Sequence, residues 1–351
     1  MVRWAAPTRG GPFSLEGLVT THDPDNPFTA FTRHQGVVVL DGGIATTLET
    51  LGCDLDDDLW SAKILLENPD AVRRVHSDFL HAGADCITTC TYQASIPGFV
   101  ARGLSEDEAV GRMGHAVKLA TEARDAFWSE TRRGSNRRGG TRRGSNRKRD
   151  LRLRPLVAAG IGPYGAYRAD GSEYTGAYDV GSRDLHTFHE RRWAILAGSA
   201  ADLLACETIP CLEEAIVLLE LLKRTPDRWA WMSFSCRDEA HLCDGTPLGR
   251  AVELCDAEPR IAAIGVNCTE PSDVPGLITT VRRATQKPII VYPNAGGTWD
   301  AIHKTWTGDV PHLEWPDLAT RWRGLGASVI GGCCRVSPDD ISQMRDCLLT
   351  A

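Results

Sequence analysis

Eight short apolar segments recur along this sequence, each closed by Gly, Pro, Asn or Cys, and they constrain the fold more than any other feature. They are 36–41 (GVVVLD), 85–89 (DCITT), 155–159 (PLVAA), 202–206 (DLLAC), 229–235 (WAWMSFS), 262–267 (AAIGVN), 288–292 (PIIVY) and 327–330 (ASVI). Strands apolar at nearly every position are buried on both faces, as in parallel sheets covered by helices. Helical patterns lie between them. Segment 211–224 sets Leu212, Ala215, Ile216, Leu219 and Leu222 on one 3.6-residue stripe. Segment 337–349 offers Ser337 as N-cap, Pro338 at the first helical position and Asp340 in the first turn. Eight alternations predict a single (β/α)8 TIM barrel over residues 36–351, with an open doubly wound sheet as the competing architecture.

With 42% hydrophobic residues, the 351-residue chain has enough apolar material for one large core. No run approaches the roughly 18 apolar residues of a membrane span, and the opening MVRWAAPTRGGPF lacks the apolar stretch of a signal peptide. A cytoplasmic location is therefore expected, with the twelve cysteines as thiols rather than a disulfide framework. Nine basic residues crowd into 131–150, a tandem TRRGSNRRGG/TRRGSNRKRD expected to be a solvated, disordered loop after a helix ending near Trp128. The remainder holds 30 basic against 45 acidic residues, a poor match for nucleic acid. Residues 1–35 carry no motif and are placed to cover one end of the barrel.

Barrel enzymes collect their functional groups where strands end at the C-terminal face. Those ends carry Asp41-Gly42-Gly43, Thr88-Thr89-Cys90-Thr91-Tyr92, Cys206-Glu207-Thr208, Asn267-Cys268, Tyr292-Pro293-Asn294 and Gly331-Gly332-Cys333-Cys334. Strand ends six and eight lie near one another, so Cys268, Cys333 and Cys334 form a candidate catalytic zinc site with three soft ligands and one open position. Ordinary buried thiols are the alternative. Adjacent side chains of a strand point oppositely, so Cys333 and Cys334 converge only where Gly331-Gly332 lets the chain leave strand geometry. The Gly160-x-Gly162-x-x-Gly165 match is not expected to bind a nucleotide, because Pro163 and the residues after it read as a loop rather than an opening helix. His76, His81, His186, His189 and His303 show no metal spacing.

From about Val37 to Met344 the chain resembles the homocysteine S-methyltransferase family, through LDGGIATTLE, GADCITTCTYQAS, GIGPYGAYRADGSEYTGAY, CETIP, GVNC, YPNAG and GGCC in order. The resemblance implies zinc on Cys268, Cys333 and Cys334 with the sulfur of L-homocysteine at the open position. It also implies that Asp41 and Glu207 meet the homocysteine amino group while Thr89 and Asn267 line the pocket. Betaine, methylcobalamin and sulfonium users share the family's barrel, and no cobalamin or folate module follows Ala351, so a free small donor is expected. The loop after strand three looks like that of the branch using S-methylmethionine or S-adenosylmethionine. Its Tyr164, Tyr167, Glu173, Tyr174 and Tyr178 are candidates for carboxylate and cation–π contacts to a sulfonium. A betaine donor, a selenocysteine acceptor or a catalytically silent zinc-binding barrel are the competing readings.

Overall fold

The computed structural model describes residues 23, 25–137, 152–300, 305–308 and 313–350. Ten strands are formed among the described residues: β1 (Val38–Val39), β2 (Cys86–Thr88), β3 (Leu156–Ile161), β4 (Leu203–Ile209), β5 (Ala230–Phe234), β6 (Ile261–Asn267), β7 (Ile289–Tyr292), β8 (Thr298–Asp300), β9 (Thr305–Thr307) and β10 (Ala327–Ile330). Eight of them, all but β8 and β9, make one sheet in the order β1-β10-β7-β6-β5-β4-β3-β2, with every pairing parallel. The parallel bridge between Leu40 and Cys86, supported by Asp41 N donating to Cys86 O at 3.1 Å, joins β1 to β2 and closes the ring. Closure excludes the open sheet.

Each apolar run is buried on both faces, yet its residues still divide by alternation. Along β4, Leu203 and Ala205 join the interior cluster with Val38, Leu40, Trp231 and Ile290, whereas Leu204 and Cys206 pack outward under the helices. Helix Leu212–Lys223 buries Ala215, Leu218, Leu219 and Leu222 against the barrel. Ile216, assigned by periodicity to the buried stripe, is 39% exposed, because the buried face is rotated to take Glu214 inside. The expected cap of helix Pro338–Thr350 is a reciprocal box: Ser337 N donates to Asp340 Oδ2 at 2.8 Å and Asp340 N donates to Ser337 Oγ at 3.3 Å.

Residues 25–35 close the barrel floor, while residues 1–22 lie outside the described residues. Phe28 is fully buried with its ring 6.2 Å from that of Trp231, and Asn26 Nδ2 donates to Ala262 O at the start of β6. Helix Thr29–Gln35 then ends at Gly36, whose φ of 81° admits the turn into β1.

Two expectations need correction, and one element was not foreseen. The helix before β3 does not stop near Trp128; it runs Glu106–Arg137, into the basic repeat. Thr131 Oγ1 donates to Phe127 O and Arg133 Nε to Ser129 O, and cations at a helix C-terminus are favoured by its dipole. The rest of the repeat, 138–150, lies outside the described residues. A five-residue helix, Tyr164–Arg168, does open after Pro163. Its first amides are already taken, Tyr164 N by Glu214 Oε1 and Gly165 N by Tyr178 OH, so no phosphate cradle results. Finally, β8 and β9 form an antiparallel hairpin after β7 that periodicity did not reveal, since three-residue strands carry too short a pattern.

Candidate functional site

Cys268 directly follows β6 with φ of 47°, its amide donating to Tyr292 O at 3.3 Å. After β10, Gly331 N donates to Val291 O, Gly332 N to Asp41 O and Cys333 N to Pro293 O, so the chain stays tied to both neighbouring strands while it leaves the sheet. A Cβ at Gly332 would stand 2.2 Å from Val336, so glycine is required for that exit. The result is convergence: the three Sγ atoms of Cys268, Cys333 and Cys334 lie within 4.8 Å of one another, and the Cys268 and Cys333 sulfurs are 2.6 Å apart. Hydrogen bonds from Cys333 and Cys334 hold Cys268 well below the ordinary thiol range, and the same bonding to Cys268, followed by burial, pushes both neighbours up.

Two buried carboxylates stand in the same cavity. Asp41 Oδ2 accepts from Thr88 N at 2.7 Å and Thr88 Oγ1 at 2.9 Å, and Glu207 Oε2 accepts from Tyr292 OH at 3.4 Å. Burial lifts the Asp41 pKa to about 7 against the pull of the two Thr88 bonds. Burial, followed by the negative charges of Asp41 and Cys268, lifts Glu207 to about 8. Carboxylates desolvated in this way are poised to accept a cation, because a bound ammonium would stabilise the charged forms that burial penalises. Gly160 makes room for this arrangement, since a Cβ there would approach Glu207 Oε1 to 2.8 Å.

The cavity, about 90 Å³, is walled by residues beyond the strand-end motifs as well as by those motifs. Thr89, Glu173 and Tyr174 line it, and so do Trp60, Tyr92, Gln93, Thr208, Trp299 and Trp306. Trp60 sits at φ 46°, its ring edge-on to Tyr92 at 6.4 Å and to Trp299 at 5.7 Å; Trp299 also meets Trp306 across the β8–β9 hairpin. The signal available in the sequence was the tryptophan pair itself, Trp299 and Trp306, in a segment reached soon after a strand-end motif.

Asn267 and three tyrosines of the donor loop, Tyr164, Tyr167 and Tyr178, all expected at the pocket, stand elsewhere. Asn267 is fully buried behind the wall, where Oδ1 accepts from Thr208 N and Nδ2 donates to Thr208 Oγ1, both at 2.7 Å. It fixes Thr208 at its left-handed φ of 61°. Tyr164 packs with Tyr167, Tyr178 and Phe188 and faces an outer groove rather than the thiol cavity. The aromatic wall facing the sulfurs comes from the β1, β2 and β7 connections together with Tyr174 of the donor loop.

Behind the donor loop lies an ionic scaffold. Glu214 accepts from Tyr164 N, from Tyr178 OH at 2.9 Å and shares a 2.8 Å bond with His189 Nε2. Arg192, 2% exposed, donates to Thr91 O, Tyr92 O and Gly162 O, tying the loop after β2 to the loop after β3. His189 is thus structural. Desolvation holds buried His76 down at about 4 and therefore neutral, while His303 lies outside the described residues.

A closed parallel barrel presenting three convergent thiols and two desolvated carboxylates at its C-terminal mouth defines a barrel with a thiol cluster that could hold a metal ion beside an acidic cavity. Comparison with known proteins then places it. The family model described as homocysteine S-methyltransferase matches residues 38–348, and the chain belongs to that family. It is 45% identical over 319 residues to homocysteine S-methyltransferase YbgG of Bacillus subtilis, covering 91% of this chain and 96% of the relative. It is 42% identical over 322 residues to the homocysteine S-methyltransferase of Escherichia coli, covering 92% and 98%. The crystal structure of the homocysteine methyltransferase MmuM from Escherichia coli in its metallated form superposes with a TM-score of 0.78 at 40% identity, covering 92% of this chain and 99% of that one.

Proposed function

We propose that this protein transfers a methyl group from a sulfonium donor, S-methylmethionine or S-adenosylmethionine, to the thiol of L-homocysteine, forming methionine with the help of zinc. The observation that carries this reading is the meeting of three sulfurs within 4.8 Å of one another in the cavity that also holds Asp41 and Glu207. Three mutually close sulfurs suit zinc by softness and by number, leaving a fourth tetrahedral position for a substrate sulfur. Zinc bound there would supply the positive charge that keeps the homocysteine sulfur as thiolate at neutral pH.

The chain's own groups do the rest. Asp41 and Glu207 bind the homocysteine ammonium, and Thr88 and Tyr292 hold those carboxylates in place. Asn267 acts through Thr208, and Thr89, bonded to Gly160 N and Thr91 Oγ1, fixes the opposite wall. The faces of Trp60, Tyr92, Tyr174, Trp299 and Trp306 attract a sulfonium and exclude water from it. The thiolate sulfur attacks the donor methyl in line; a new S–C bond forms, the sulfonium C–S bond breaks, and its electron pair stays on the departing sulfur as a neutral thioether. With S-methylmethionine both products are methionine. Alignment of this kind contributes roughly 7–11 kcal/mol to such a step.

The twelve cysteines are all unpaired with one another in disulfides, which suits a reducing, cytoplasmic setting. No helix among the described residues is long and apolar enough to cross a membrane. The deciding experiment combines elemental analysis of the purified protein with methionine formation from homocysteine and a panel of S-methylmethionine, S-adenosylmethionine and betaine. One zinc per chain with sulfonium-dependent methionine formation is expected. Turnover with betaine alone, or full turnover without metal, would overturn the proposal.

A further inference from the structure

Gln93 follows β2 in the segment that supplies the aromatic wall and is 8% exposed. Its Nε2 donates to Ala166 O at 2.8 Å and to Asp58 O at 3.5 Å. Both partners are carbonyl oxygens, so the amide can lie only one way round, with the NH2 end toward them. That leaves Oε1 as a buried acceptor with no hydrogen-bond partner in the protein. Such an atom calls for a donor, because a buried acceptor is costly to leave unpaired.

The place of Gln93 says where that donor comes from. The residue borders the thiol cavity, and among the described residues it alone also borders the outer groove formed by Tyr164, Tyr167, Arg168 and Asp170. Its two carbonyl partners belong to the segment leading to Trp60 and to the loop carrying Glu173 and Tyr174, so it stands on the aromatic side of the cavity. Asp41 and Glu207, already assigned to the acceptor's ammonium, and Glu173 are the carboxylates that line the same cavity among the described residues.

The geometry points to Gln93 Oε1 as the receptor for the α-ammonium of the methyl donor, which makes Gln93 the residue that selects an amino-acid sulfonium over one without an amino group. This rests on the sulfonium-donor reading above. An amide oxygen can only accept, so it pairs with the N–H of an α-ammonium. It gains nothing from a carboxylate or from the fully methylated nitrogen of betaine.

The test compares two donors in one protein: S-methylmethionine and dimethylsulfoniopropionate, a sulfonium acid without an amino group. Wild type should favour S-methylmethionine in kcat/KM. Gln93→Met should lower kcat/KM for S-methylmethionine roughly tenfold to a hundredfold, the range of a lost charge-assisted hydrogen bond. It should leave the values for dimethylsulfoniopropionate and the KM for homocysteine unchanged. A merely structural role, through the bond to Ala166 O, would depress both donors alike, and that outcome overturns the assignment, as does no change with either donor. Gln93→Glu keeps an acceptor oxygen and should keep the preference for S-methylmethionine; its loss there would also overturn the assignment. If wild type methylates homocysteine from neither sulfonium, the functional reading falls and takes this one with it. If both serve and the ratio does not move in Gln93→Met, only the role of Gln93 falls.

Discussion

Substituting asparagine for Asp41 should separate what the carboxylate does for binding from what it does to stability. The side chain is 3% exposed and its Oδ2 is held by Thr88 N and Thr88 Oγ1, bonds that an amide oxygen would keep. Burial raises its pKa from 3.8 to about 7. A carboxyl with a raised pKa in the folded state contributes its full share of stability below the unfolded pKa, and that share is lost as pH climbs through the folded value. Roughly three pH units at 1.36 kcal/mol each make the charged form in the folded protein, without metal or substrate, cost about 4 kcal/mol. Asp41→Asn has no such titration. In urea melts of the metal-free, substrate-free protein, the variant should match wild type near pH 4 and exceed it by up to about 4 kcal/mol at pH 8. The same variant should bind homocysteine worse. Loss of a charge-assisted bond to its ammonium, about 1.5–3 kcal/mol, raises the homocysteine KM roughly tenfold to a hundredfold. A variant no more stable than wild type at pH 8 would refute the desolvation argument, and an unchanged homocysteine KM would refute the ammonium assignment.

Cys333→Ser should release the metal and abolish turnover, since Cys333 is one of the three convergent sulfurs; elemental analysis and methionine formation check both. Phe28→Ala should destabilise the protein by about 3–5 kcal/mol by opening a cavity under Trp231, with KM values unchanged, because the barrel floor is remote from the mouth; denaturant melts and steady-state kinetics decide it. Removing residues 138–148 should leave turnover nearly intact, because the helix Glu106–Arg137 before them ends, and β3 after them starts, at the face opposite the thiols. A dead deletion variant with a normal melt would contradict that placement.

The architecture was legible because it rests on a repeated local pattern. Runs such as LLACETI and IAAIGVN are too apolar for a half-exposed strand, and eight of them separated by amphipathic helices leave few ways to bury every face. Cap chemistry at Ser337 was legible for the same reason, as both partners of the box lie within four residues. The short β8–β9 hairpin was not, and neither was the continuation of helix Glu106–Arg137 into a repeat that reads as a solvated loop.

The sequence by itself determined the ligand types: which strand ends carry thiols, carboxylates and glycines, and hence the class of chemistry the mouth can perform. Only the tertiary structure decided which of those groups meet. It turned Asn267 away to brace Thr208, left Tyr164 in an outer groove, and brought Trp60, Gln93, Trp299 and Trp306 from three separate connections onto one cavity. The reason is that strand-end identity is written in neighbouring residues. Where a side chain points beyond the strand depends instead on φ values such as those of Trp60, Thr208 and Cys268, which contacts far away in the chain impose.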